Sequence, residues 1–318
     1  MKDTTLPSPI IVVALSETFD LAANMAEASD PRVRLLRPSE VEDPALVTCA
    51  LSWRPADDAF APYPNIRMVS SIAAGVDSII ACPSLRDDIV VTRIRDEEQA
   101  RMMAGFAVWH VVHHHRRMGT YITNQASRTW DRSFRAEMAS DVTVGILGFG
   151  LMGRQTARVL TTMGYNVIGA SRSGGDPEPG VEILSGASAI AETAARSDIL
   201  INLLPLTEHT RDILNADLFA TMPKGAVLVP VGRGEHLIES DLLAALDAGQ
   251  LSAASLDVFR HEPLPQDSPF WTHEQVLVTP HKASDTTRAE ILRQLANNYA
   301  ALLQGLTPPG AVNRDAGY

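Results

Sequence analysis

Three residues in the second half of the chain carry side chains suited to chemistry: Arg233 in Val229-Pro-Val-Gly-Arg-Gly234, Glu262 in Leu256-Asp-Val-Phe-Arg-His-Glu-Pro263, and His281 in Val278-Thr-Pro-His-Lys282. A guanidinium offers a planar fork to a carboxylate, and an imidazole can give or take a proton near neutral pH. Each stands just beyond a short apolar run that reads as a buried strand, and strand ends are where an open parallel sheet presents its ligands. Taken singly they have plainer readings, as a capping arginine, a surface carboxylate and a satisfied loop histidine.

A second signal lies in Val142-Thr-Val-Gly-Ile-Leu-Gly-Phe-Gly-Leu-Met-Gly153, where glycines at 148, 150 and 153 follow a strand and open a helix. This is the setting of a dinucleotide fingerprint. Gly148 allows the tight turn, Gly150 lets the backbone approach a pyrophosphate, and Gly153 lets the helix pack closely. Phe149, Leu151 and Met152 fill the intervening positions, and the first helical amides face the phosphates. An NAD site usually has an acid at the end of the next strand, but this strand ends Gly169-Ala-Ser-Arg-Ser173. Arg172 between Ser171 and Ser173 suits a 2'-phosphate instead, so NADP is the expected cofactor and NAD a weaker one. The plainer reading of Arg172 is a solvated surface arginine.

The elements needed to position these residues are legible as apolar runs. In the first hundred residues they are Ile10 to Leu15, Arg32 to Leu36, Val47 to Leu51, Arg67 to Ile72 and Ile89 to Val91. A helix is expected from Asp96 to Arg117 with Asp96 as N-cap, followed by an aromatic and basic connector from Tyr121 to Met138. Six further strands are expected: Val142 to Leu147, Asn166 to Ala170, Ile199 to Leu203, Ala226 to Val231, Ala253 to Asp257 and Val276 to Thr279. A last helix, Asp285 to Gln304, is expected to return to the first domain. The pattern is α/β, two doubly wound parallel-sheet, Rossmann-like domains with a cleft between them.

The 318 residues suffice for two domains, and a 45% hydrophobic content fills both cores. A net charge of -11 argues against nucleic acid as a partner, since phosphate binding needs a dense basic field. No apolar run has the roughly 18 residues of a membrane span, and the N-terminus lacks a signal-peptide core, which points to the cytoplasm. Cys49 and Cys82 have no metal-ligand spacing and read as buried thiols. His110, His113, His114 and His115 suggest a metal cluster, but no HExxH pattern or acidic partner accompanies them, so a packed or subunit-facing helix is expected and no metal.

Together these motifs resemble the D-isomer specific 2-hydroxyacid dehydrogenase family over nearly the whole chain, including Ala74-Gly-Val-Asp77 and Leu203-Leu-Pro-Leu-Thr207. Ser171-Arg-Ser173, Trp53 in Ser52-Trp-Arg-Pro55, His113-His-His-Arg-Arg117 and the ending Val312-Asn-Arg-Asp-Ala-Gly-Tyr318 are similar to its glyoxylate and hydroxypyruvate reductase A branch. The resemblance implies a substrate domain at 1-97 and 284-318, and a dinucleotide-binding domain at 98-283 with a dimerisation arm at about 110-140. It implies reduction of a small 2-oxo acid. Arg233 would bind and polarise substrate with the amides of Ala74 and Gly75, and His281 would be the acid and base. Glu262 would fix the histidine's tautomer and favour the imidazolium, and Trp53 would wall the pocket. Leu204, Pro205, Val231, Gly232, Asp257 and His281 join the fingerprint as cofactor contacts. Trp130 in the arm implies a homodimer.

Two departures from the family pattern stand out: Gly105, where a glutamate is usual, and Ala73, which adds a methyl where glycine is usual. Other readings within the family are a phosphoglycerate or longer-chain 2-oxo acid reductase; formate dehydrogenases carry glutamine where Glu262 stands. From another class, some relatives of this fold are dinucleotide-sensing corepressors.

Overall fold

The computed structural model describes residues 9-135 and 137-318. They fall into two compact units divided at 96/97 and 284/285, the last segment belonging to the first unit.

In the first unit β1 (Ile10–Ser16), α1 (Leu21–Asn24), β2 (Val33–Leu36), β3 (Cys49–Trp53), β4 (Met68–Ser71), α2 (Asp77–Ile80) and β5 (Val90–Thr92) build a parallel sheet of order β2-β1-β3-β4-β5. Its inner strands are buried on both faces, which is why they read as continuous apolar runs and not as alternating ones.

The second unit opens with α3 (Glu97–His115) and α4 (Met118–Ala126), then β6 (Thr143–Leu147), α5 (Leu151–Thr162), β7 (Asn166–Ser171), β8 (Val181–Ser185), α6 (Ala189–Ala195) and β9 (Ile199–Asn202). It continues through α7 (Ala216–Thr221), β10 (Ala226–Pro230), α8 (Glu239–Asp247), β11 (Leu251–Leu256) and β12 (Val276–Val278). The seven strands are parallel in the order β12-β11-β10-β9-β6-β7-β8, so the winding reverses between β6 and β9. Helix α5 buries Gly153, Thr156, Ala157 and Leu160, a stripe at helical spacing against the sheet.

The final helix, α9 (Arg288–Leu303), starts later than its apolar pattern suggests because Thr287 caps it, accepting from the Glu290 amide at 3.2 Å. It buries Ile291, Leu292, Leu295, Ala296 and Tyr299 among Ile10, Val12, Leu51 and Met68. Full burial of an aliphatic side chain is worth about 1.5–3 kcal/mol, so this face holds the helix to the first sheet.

Two elements differ from the sequence reading. Strand β8 was not expected: it is a half-exposed edge strand carrying Glu182, and it follows Pro177, Pro179 and Gly180, so its apolar signal is weak. Residues 118–126, which overlap the start of the supposed connector, form α4, which buries no side chain and so lacks the stripe by which helices are read.

Candidate active site

The carboxyl ends of β10, β11 and β12, three adjacent parallel strands, lead into the segments that carry Arg233, Glu262 and His281. Arg233 lies three residues past β10. Gly234 after it packs on the next strand's loop, where a Cβ would come within 2.1 Å of the Phe259 carbonyl oxygen. Phe259 in turn donates its amide to Glu262 Oε1 at 3.1 Å. Glu262 receives the His281 Nδ1 proton, with ring-to-oxygen distances of 3.0 and 2.9 Å. The expected dyad is therefore assembled, on the loop that also abuts the Arg233 turn. Because Nδ1 faces a carboxylate, the tautomer leaves Nε2 as the atom available for proton exchange.

His281 sits in the left-handed region, φ +52, which a non-glycine residue adopts at a cost of roughly 1–3 kcal/mol. Asp257 holds it there. This carboxylate is 1% exposed and accepts from Thr279 Oγ1 at 2.7 Å and from the amides of Lys282 and Ala283, both at 2.9 Å. All three donors belong to the loop around His281, so Asp257 braces the loop as well as standing among the expected cofactor contacts. Arg233 places one Nη on its own chain, donating to the Gly232 carbonyl at 2.9 Å.

The fingerprint turn lies at the reversal between β6 and β9. Gly148 has φ +92, and a Cβ there would meet the Leu203 carbonyl oxygen at 2.5 Å; one on Gly153 would meet the Gly148 oxygen at 2.3 Å. A Cβ on Gly150 would meet nothing within 4 Å. Gly150 is the N-cap of α5, so the space open at its Cβ position adjoins the start of that helix. Two glycines are thus required by packing and the third leaves a cradle in front of a helix N-terminus, which fits a dinucleotide pyrophosphate. The amides of Gly148 and Phe149 both donate to the Ala170 carbonyl, at 3.3 and 3.1 Å, binding this turn to the end of β7.

Ser171 ends β7, and Arg172 and Ser173 follow on a loop whose Gly174 and Gly175 have φ +77 and +78. Sequence reading missed Arg154 on α5. Its guanidinium lies over the Phe149 ring, 5.0 Å from the centroid, and a Cβ on Gly175 would come within 2.9 Å of its Nη2. Glu178, with two bonds of 2.8 and 3.0 Å from Arg158, stands 3.6 Å from Arg154 and is held below the usual carboxylate range chiefly by Arg158. No local motif announces a helical arginine that reaches a loop twenty residues away.

The remaining expected contacts are placed as follows. Leu204 and Pro205 follow β9, with the Leu204 amide on Asn202 Oδ1 at 3.2 Å; Val231 is buried, and its amide donates to the Asn202 carbonyl at 3.0 Å. In the first unit Trp53 ends β3, with the Arg54 guanidinium 5.9 Å above its ring. Ala74 and Gly75 lie in the loop after β4, where Ser71 Oγ donates to the Gly75 carbonyl at 2.7 Å and accepts from the Ala73 amide at 3.1 Å.

The histidine-rich helix has other partners. His114 Nε2 lies 2.7 Å from Ser255 Oγ and His115 Nδ1 lies 2.7 Å from Tyr165 Oη, while His113 stacks on Trp109. Burial pushes His110 down to about 4 and His114 to about 3, so both are neutral. Among the described residues no three His, Cys, Asp or Glu side chains group as metal ligands, and no helix is long and apolar enough to cross a membrane.

An α/β sheet with a dinucleotide cradle at its reversal and an Arg, Glu and His set at its carboxyl edge defines a nicotinamide-dependent oxidoreductase class. The family model described as "D-isomer specific 2-hydroxyacid dehydrogenase, NAD binding domain" matches residues 108–283. A glyoxylate/hydroxypyruvate reductase A from Serratia proteamaculans is 40% identical over 274 residues, 85% of this chain and 87% of that protein. Among solved structures, an NADPH-dependent glyoxylate/hydroxypyruvate reductase from Sinorhizobium meliloti, in complex with NADP and sulfate, superposes with a TM-score of 0.88 at 35% identity, covering 98% of this chain and all of that one. A D-isomer specific 2-hydroxyacid dehydrogenase from Xanthobacter autotrophicus in complex with NADPH gives 0.89 at 34% identity, with 98% of this chain and 100% of that one covered. The chain belongs to the D-isomer specific 2-hydroxyacid dehydrogenase family and is an NAD(P)-dependent oxidoreductase. Within the family its similarity is to the glyoxylate/hydroxypyruvate reductase A branch.

Proposed function

We propose that the enzyme reduces a small 2-oxo acid, glyoxylate or hydroxypyruvate, to the 2-hydroxy acid with NADPH. The observation that carries this reading is the Glu262–His281 pair at 2.9 Å on the loop against which the Arg233 turn packs. NADPH, when bound, supplies the hydride. The chain's own residues do the rest. Arg233 holds the substrate carboxylate and polarises the carbonyl, and the amides of Ala74 and Gly75 take the other carboxylate oxygen. His281 Nε2–H protonates the developing alkoxide, and Glu262 keeps the ring oriented. Trp53 restricts the pocket to short acids.

The cofactor is held by Gly148 to Gly153 at the phosphates, by Leu204, Pro205, Val231, Gly232 and Asp257 along the sheet edge, and by Ser171, Arg172 and Ser173 at the 2'-phosphate. The names of the similar enzymes bound to NADP and NADPH support the choice of phosphate. The exposed Trp109, Ile122, Trp130 and Met138 support a homodimer built through the arm at about 110–140. The test is NADPH oxidation with glyoxylate, hydroxypyruvate, pyruvate and a longer 2-oxo acid. Fast turnover of the first two supports the reading. A preference for the longer acid makes this another reductase of the family, and cofactor binding without turnover of any of them makes it a binding protein.

A further inference from the structure

The second unit contains a histidine that the reaction just proposed does not use. His236 is 0% exposed, three residues after Arg233. Its Nδ1 lies 3.2 Å from the Arg233 amide nitrogen and 3.0 Å from Asn202 Nδ2. An N–H and an amide NH2 can only donate, so Nδ1 is the acceptor of both, and the proton of the neutral ring is on Nε2. That proton faces the Pro205 carbonyl at 3.3 Å. The other end of Asn202, Oδ1, accepts from the Leu204 amide at 3.2 Å. Gly232 leaves room for the ring, since a Cβ there would lie 3.2 Å from its Cε1 and 3.0 Å from the Leu204 carbonyl oxygen.

The ring thus ties two loops through two different nitrogens. Nδ1 fixes the backbone from which Arg233 projects, and Nε2 fixes the Leu204–Pro205 loop. We infer that His236 is a positioning residue that sets the substrate arginine through Nδ1 and the cofactor loop through Nε2, coupling the two without touching either ligand. The inference rests on the proposed roles of Arg233 and of the Leu204–Pro205 loop. It goes beyond them by separating the two ring nitrogens into two functions, which a merely space-filling histidine would not show.

The separation is testable with two small polar substitutions. His236→Asn keeps an oxygen acceptor near the Nδ1 position and loses the donor to Pro205; His236→Gln can keep a donor near Nε2 and loses the acceptor for the Arg233 amide. The measurements are KM and kcat for glyoxylate, the NADPH Kd by fluorescence titration of the intact enzyme, and the melting midpoint. Losing one buried bond corresponds to roughly a tenfold change. H236Q should therefore raise KM for glyoxylate about tenfold with NADPH Kd within about threefold of wild type, and H236N should show the reverse. If each variant shifts both constants together in proportion to its loss of melting temperature, His236 is only structural and the inference is overturned. Arg233→Ala is run beside them. If R233A leaves KM unchanged, the reading of Arg233 has failed and the inference falls with it; if R233A raises KM and H236Q does not, only the inference fails.

Discussion

The two ends of the second sheet are built by opposite means. At the β10–β12 end, side chains hold side chains and loops: Asp257 takes three donors from the 279–283 loop, Glu262 takes His281, and His236 takes the Arg233 amide. At the β6–β8 end, backbone and vacant volume do the work: two glycines that packing requires, a third facing open space, and a strand end with an arginine and no acid. Proton transfer needs one ring nitrogen held in one orientation, whereas a pyrophosphate is satisfied by amides that any sequence provides once the chain turns tightly enough. Substitutions of His281 and Arg233 should therefore damage turnover and leave cofactor affinity alone, and those at the second end should do the reverse.

The largest contrast is expected at His281. Replacing it by Ala should lower kcat by about 10²- to 10⁴-fold, the usual worth of a positioned acid, with NADPH affinity unchanged by titration. A variant retaining most of its turnover would remove His281 from proton transfer. Arg233→Lys comes next: it keeps the charge and loses the fork, and should cost on the order of a hundredfold in kcat/KM for glyoxylate. Wild-type efficiency in that variant would mean that no bidentate contact is made.

At the other end, Arg172→Ala should lower kcat/KM for NADPH by about ten- to a hundredfold, the worth of one charge-assisted bond, and leave NADH nearly untouched. A coenzyme ratio that does not move would show that the phosphate is bound elsewhere, with Arg154 the next residue to replace.

The smallest effect concerns stability and lies away from both ends. His110 is buried and neutral, with its pKa pushed from 6.5 down to about 4. The unfolded chain binds a proton there before the folded one does. The resulting stability is fully present above the unfolded value and is lost as pH falls from it through the folded one, on the order of 1–2 kcal/mol near pH 5. Replacing His110 by Leu should flatten the fall of melting temperature between pH 7 and pH 5. An unchanged slope would assign acid sensitivity to other groups.

The same contrast explains what could be read in advance. The glycines at 148, 150 and 153 announce themselves because their function is local, a turn between a strand and a helix that follow one another in the chain. The double winding was legible for the same reason, since buried parallel strands are unbroken apolar runs; the half-exposed β8, with Glu182 as its second residue, was not. Arg233, Glu262 and His281 could be singled out by type and strand-end position, but their assembly depends on the order β12-β11-β10, which no single segment encodes. His236 and the bracing role of Asp257 were invisible, because each is defined by partners on other loops. Arg154 was hidden because its position within α5 gives no sign of its reach to Gly175.

The left-handed backbone at residue 281 has a consequence for how this protein would change under selection. Glycine adopts φ +52 freely and alanine does not, so His281→Gly and His281→Ala, equally deprived of the imidazole, should differ in melting temperature, with the glycine variant higher. Heat tolerance and turnover then pull this one position in opposite directions. A library screened only for survival of heating should drift toward glycine or asparagine at 281, yielding robust and inactive proteins, while a library screened for product formation should return histidine and accept the lower melting point.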